Sequence, residues 1–271
     1  MGWELPENTN DAHAGMSIVW LLGWAVVLPF AHVSRLLAYG LLPFALLIAL
    51  TVLFPGASIL APVLITPSFA LEVPEALLPY GSIIGWAIWA LTFVLTGFLL
   101  CVWQRDILHR FRDPLGKLIT DSAARLLEYL LMMLIWAMLV IGVSLAVESA
   151  SVAVVLVLAI GCITSLETLT PLIAAHGWKA ALAVWKVGRG RVVGHLLTFA
   201  ILGLLWIGIL ALLDYLGIQS TSRTHDASGM LFANCTNVAI TLIVLLWLSA
   251  IPALAIRRPL ELKTTEAAAF D

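Results

Sequence analysis

Apolar residues run along this chain in long unbroken stretches, with polar positions gathered between them. A bilayer core of roughly 30 Å needs about 20 mostly apolar residues at 1.5 Å each. Six stretches meet that length: 36–54, 81–103, 126–147, 151–175, 194–216 and 231–256. Transmembrane strands would be about ten residues long and alternate apolar with polar. These runs are continuous and about twice as long, so the pattern predicts an all-α polytopic bundle of about six transmembrane helices. Only Glu148, Ser149 and Ala150 separate the third and fourth runs, which predicts an antiparallel helical hairpin there.

Three shorter segments have a different texture. In 104–124, Ile107, Leu108, Phe111, Leu115, Leu118 and Ile119 fall near helical spacing, with Arg105, Arg110, Arg112 and Lys117 interleaved. This is the pattern of an amphipathic helix in the membrane interface, broken or capped near Pro114. In 177–190, Trp178, Ala181, Leu182 and Trp185 repeat it beside Lys179, Lys186 and Arg189. The apolar stretch 16–33 holds Trp20, Trp24, Pro29 and His32 and ends at Ser34 and Arg35, which predicts an interfacial or re-entrant piece, with a seventh span as the alternative. It does not read as a cleavable signal, because acidic Glu4, Glu7 and Asp11 stand where a basic region belongs.

Similar strings open three of the outward-going runs: Arg35-Leu-Leu-Ala-Tyr39, Arg125-Leu-Leu-Glu-Tyr129 and Arg191-Val-Val-Gly-His195. The economical architecture is three copies of one unit, a cytoplasmic interfacial segment followed by a helix hairpin. Chance recurrence in Leu-rich sequence is the alternative. At the head of a span an arginine reaches lipid phosphate and sets helix depth, so Arg35, Arg125, Arg189 and Arg191 are expected to contact headgroups, preferably anionic ones.

Composition agrees with the pattern. Of 271 residues 62% are hydrophobic and 11% charged, with a net charge of -2, which excludes a soluble domain of ordinary make-up and a nucleic-acid binder working by bulk electrostatics. With six spans, thirteen of the 14 Lys and Arg fall on one side and Arg223 on the other. The positive-inside rule then places both termini in the cytoplasm, with polar tails at 1–15 and 257–271 around a single membrane domain at 16–256. Cys101, Cys162 and Cys235 are too scattered to signal a disulfide framework or a zinc site.

The stretch 171–191, Pro-Leu-Ile-Ala-Ala-His-Gly-Trp-Lys-Ala-Ala-Leu-Ala-Val-Trp-Lys-Val-Gly-Arg-Gly-Arg, resembles the segment that joins paired helices in a broad group of bacterial six-helix inner-membrane proteins. That group includes the membrane domain of some glycerophosphodiester phosphodiesterases. In it a proline ends a span, an Ala-Leu-rich amphipathic helix follows, and a glycine step leads into the next span. The acidic residue often found after the proline is replaced here by Ala175-His176. The resemblance implies topology and a bacterial plasma membrane, and it implies no activity, since the chain shows no soluble phosphodiesterase domain.

The sharpest candidate for chemistry is Glu167, set among Thr164, Ser165, Thr168 and Thr170 before Pro171. A carboxylate at such depth must face the bundle, pair with a base or stay protonated. It reads either as a buried structural pair with Arg125, Arg191 or His195, or as an ion or proton site in a broken helix. Glu128 follows Arg125 at the i, i+3 spacing and can be satisfied locally. His32, His109, His176 and His195 lie near the cytoplasmic boundary without the paired spacing that haem requires, so no cofactor is expected. No HExxH, GxSxG or phosphate-binding glycine loop is present.

The segment between the first two runs, 55–80, is also apolar, uninterrupted by charge until Glu72, and needs cover from lipid, bundle or another protein. These features favour a non-enzymatic accessory or scaffold subunit of a larger membrane assembly, with lipid and other membrane subunits as partners. A small transporter or channel built around Glu167 is the alternative, and a lipid-metabolising enzyme stands third.

Overall fold

The computed structural model describes residues 18–53, 81–147, 169–179, 181, 235, 236 and 238–256. All regular structure among them is helical: α1 (Ile18–Ala31), α2 (Val33–Leu53), α3 (Gly81–Leu108), α4 (Leu115–Val147), α5 (Leu169–His176) and α6 (Val238–Ile256). Three stretches within them, Val33–Leu50, Ile83–Leu108 and Val238–Ile256, are long and apolar enough to cross a membrane. They match the first, second and sixth runs of the sequence. The third expected run, 126–147, lies wholly inside α4. The fifth run and most of the fourth fall outside the described residues.

The described part of α1, 14 residues, is about 21 Å long. It is not separated from α2 by a loop. The amide of His32 donates to the Leu28 carbonyl and that of Leu36 to the His32 carbonyl, both at 3.0 Å, so helical bonding runs through the junction. Pro29, which has no amide proton to give, leaves the Ala25 carbonyl without its helical donor within α1. Leu21, Ala25 and Leu28 form the buried stripe of α1 at i, i+4 and i+7, while Val27 and Phe30 face outward.

The stretch 104–124 is where the architecture departs most from the sequence pattern. The break expected near Pro114 is present, but the pieces on either side of it belong to two longer helices. Residues up to Leu108 complete α3, a tight turn occupies 109–114, and everything from Leu115 belongs to the 33-residue α4. The helix end is a Schellman cap: Phe111 N donates to Asp106 O at 2.9 Å and Arg110 N to Ile107 O at 3.2 Å. Arg110 takes the left-handed position that glycine ordinarily fills, with φ 56°, and Phe111 follows at φ 57°. Arg125 is correspondingly placed: it lies inside α4 and opens no helix, whereas Arg35 does sit in the first turn of α2.

Helices α3 and α4 pack antiparallel. Gly97 lies against Leu130 and Met133, and Arg105 lies against Asp121. The core gathers around the last turns of α3, where Leu99 to Ile107 are buried on every side by α2, α4, α5 and α6. Toward Gly81 the same helix exposes Ile83, Trp86 and Leu91. Leu37, Leu41, Leu42 and Leu46 of α2 and Leu127, Leu131, Leu134 and Met138 of α4 also face outward, as apolar side chains do against lipid or a partner.

Candidate functional site

An apolar helix that runs on into Gln104, Arg105 and Asp106 without a breaker carries their side chains into the packed end of the bundle. Isolated charge there is costly, so each must find a partner. Asp106, whose side chain has no exposed surface, receives Arg35 in a two-point grip: Nη2 to Oδ1 at 2.6 Å and Nε to Oδ2 at 3.0 Å. This fork-to-fork geometry is the strong form of the arginine–carboxylate pair. Nη2 also donates to the Asp113 carbonyl at 2.9 Å, so one guanidinium joins α2, the end of α3 and the following turn.

Arg105 points the other way. Its Nη2 donates to Asp121 Oδ2 at 2.7 Å, and its Nη1 donates to the carbonyls of Ala174 and Ala175, each at 3.1 Å. Those carbonyls belong to the last turn of α5 and have no onward helical partner, so a buried cation meets the negative end of a helix. The chain leaves α5 through Gly177 at φ 80°, whose amide donates to Ile173 O at 2.9 Å. Glycine is favoured here by conformation, since a φ of 80° is strained for any residue with a side chain. A Cβ would also approach the Arg125 guanidinium and Glu128 Oε2, the ends of two partly exposed side chains that can swing aside.

Gln104 supplies the uncharged part of the cluster. Its Nε2 donates to Ser249 O at 3.0 Å and to Thr170 Oγ1 at 3.3 Å, linking α3 to α6 and α5. Next to it Trp103 Nε1 donates to Leu246 O at 3.1 Å. On the rim of the cluster, Glu128 has Arg125 at 3.6 Å, as the i, i+3 spacing suggested. Its second oxygen accepts the amide of Trp178 at 2.7 Å, a link from α4 to the turn after α5 that spacing alone does not reveal.

Three histidines surround the turn. His32 stacks on Phe111 with ring centres 3.6 Å apart, and burial, then the Arg35 charge, pushes its pKa down. His109 Nδ1 lies 3.1 Å from Asp113 Oδ2. Burial is the largest effect on His109 and lowers its pKa; Arg105 and Lys117 act the same way, against Asp113 and Asp106. His176 is lowered by partial burial, then by His109, Arg105 and Arg125. Among the described residues no three His, Cys, Asp or Glu side chains are grouped to hold a metal ion.

Of the residues singled out in the sequence, Arg35 and Arg125 are in this cluster. Arg35 has Nε and Nη2 bound to protein, which leaves the lipid-phosphate contact expected of it to its Nη1 edge. Glu167, Thr164, Thr168, His195, Arg189 and Arg191 lie outside the described residues. The residues that sequence reasoning passed over are Gln104, Asp106 and Asp121. Their signal was available: an Arg-Asp pair prolonging an apolar run, with no Gly or Pro between Gly97 and Pro114 to end the helix.

The arrangement joins helices. Its charged pairs link α2 to α3 and α3 to α4, and Arg105 reaches two carbonyls of α5. No protein-family model matches the chain, and neither a curated protein nor a solved structure matches it.

Proposed function

We propose that the chain is a non-enzymatic integral membrane protein that serves as an accessory or scaffold subunit of a larger assembly in a bacterial plasma membrane, with both termini cytoplasmic. The observation that carries this reading is the use to which the charges at the end of α3 are put. Asp106 holds α2 through Arg35, and Arg105 holds α4 through Asp121 and α5 through two carbonyls. A transport site keeps charged groups available for cargo, whereas the tips of Arg35, Asp106 and Arg105 are bound by Asp106, Arg35 and Asp121. Apolar rows on α2 and α4 offer the kind of surface that membrane subunits and lipid cover. The thirteen-to-one partition of basic residues and the resemblance of 171–191 support the compartment and the orientation.

Mild-detergent purification from its own membranes tests the reading. A scaffold subunit brings down a stoichiometric membrane partner; a chain that emerges alone and monodisperse at high yield contradicts it. Glu167→Gln in reconstituted vesicles tests the transport alternative directly, because loss of substrate or proton flux with intact folding would replace the scaffold reading.

A further inference from the structure

The last turn of α5 meets the turn after α3 through two imidazoles. The rings of His109 and His176 lie 6.3 Å apart, inclined by 37°. The contact is bounded on one side by Arg105, bonded to the carbonyls just before His176, and on the other by Gly177, the left-handed residue at which the backbone turns. A helix end held by side chains and followed by a glycine pivot can swing if those side chains repel it.

We propose that this contact is a proton-sensitive clasp: neutral His109 and His176 let the end of α5 dock on the turn between α3 and α4, and protonation of both drives it off about Gly177.

Every charged group around the pair bears on the sign. From α3, Arg105 opposes protonation of both rings and Asp106 favours that of His109; from the turn, Asp113 favours His109; from α4, Lys117 opposes His109 and Arg125 opposes His176, while Asp121 binds Arg105 and Glu128 binds Arg125 and so soften both guanidiniums. Asp113 can hold one proton on His109. It does nothing for His176, which would then face an imidazolium and two guanidiniums. The second proton is therefore the one that opens the clasp. Burial works in the same direction, and both rings titrate below the ordinary histidine value of 6.5. The residues that would move, 174–178, include the Trp178 amide bound by Glu128 and the carbonyls bound by Arg105, so opening exposes backbone groups that exchange can count.

Hydrogen exchange read by mass spectrometry on the full chain in nanodiscs, corrected for the intrinsic pH dependence of exchange, is the test. Peptides covering 169–181 are expected to lose protection about tenfold between pH 7.5 and pH 5, an effect of one pK unit's size, while peptides covering 97–104 hold theirs. The H109Q/H176Q double variant should show the same protection at both pH values, and the H176Q single variant should show most of that loss of response. A wild-type segment whose protection does not change with pH overturns the proposal. So does a double variant that still opens in acid, because the response then lies outside the two imidazoles. Should the double variant fail to fold, H176Q alone decides, because its side chain reaches solvent at the helix end. The outcome does not depend on whether the chain is a subunit or a transporter.

Discussion

The strings Arg35-Leu-Leu-Ala-Tyr39 and Arg125-Leu-Leu-Glu-Tyr129 are nearly the same, and the fold uses them differently. In both the tyrosine one turn on is buried. Arg35, near the start of α2, reaches across to a fully buried carboxylate 71 residues away and binds it at two points. Arg125, ten residues into α4, is paired with the Glu128 of its own helix at 3.6 Å, both side chains more than a third exposed. The first pair holds the fold; the second is an ordinary surface contact worth a few tenths of a kcal/mol. What separates them is the surroundings: the Asp106 side chain is fully buried at the packed end of α3, while Arg125 and Glu128 sit at the rim beside Gly177.

Substitutions that break the two pairs should therefore differ in size. The largest effect is expected for Asp106→Asn, which leaves Arg35 without its anion; breaking a buried pair costs about 3–5 kcal/mol. Chemical unfolding in detergent should show it as a lowered midpoint, and a loss under about 1 kcal/mol would reduce this pair to the rank of the surface one. Next comes Gly177→Ala, at about 1–2 kcal/mol for a side chain in left-handed backbone, with the ends of Arg125 and Glu128 free to swing aside. Glu128→Gln follows, at about 1 kcal/mol, because the cap on the Trp178 amide loses its charge while the weak contact with Arg125 contributes little. If it proves as costly as Asp106→Asn, the distinction between buried and rim pairs fails.

Arg110→Gly runs in the opposite direction. It relieves a left-handed non-glycine residue at the end of α3 and should raise stability by about 0.5–1 kcal/mol in the same unfolding assay. The smallest effect is on pH. His32, His109 and His176 are all depressed below 6.5, so the unfolded chain binds protons before the folded one. Stability is full above pH 6.5 and declines as the pH falls through the lower folded values. Thermal midpoints compared at pH 7.5 and 5.5 should show the decline. It should shrink in His32→Gln, on the Arg35 side of the cluster, and in His176→Gln, on the Arg125 side.

Much of the helical content was legible because apolar run length is a local property. The runs at 36–54 and 81–103 coincide with α2 and α3 to within a few residues, and the run at 231–256 contains α6 and shares its end. The ends were read less well, and 104–124 shows why. A periodic mixture of Ile, Leu, Phe and Arg is what an interfacial helix has, and it is also what results when one helix ends in a buried charge cluster and the next begins. Periodicity does not record that Arg105 and Asp106 are inside. The turn between them and Pro114 gave no glycine to mark it, because Arg110 takes the glycine position. Asp106 escaped notice for a related reason: its partner is 71 residues away, and nothing near it in the chain announces a buried carboxylate.

By itself the sequence determined that the chain is built of apolar helices long enough for a bilayer, that its cations collect between particular runs, and that Glu128 can be met by Arg125. Each follows from neighbours within a few turns of one helix, where spacing is set by the backbone. Only the tertiary structure decided which cation holds the fold together. Whether a charge is buried depends on what other helices bring against it, and Arg35 and Arg125, alike in their local strings, were told apart by Asp106 and by the helices that enclose it.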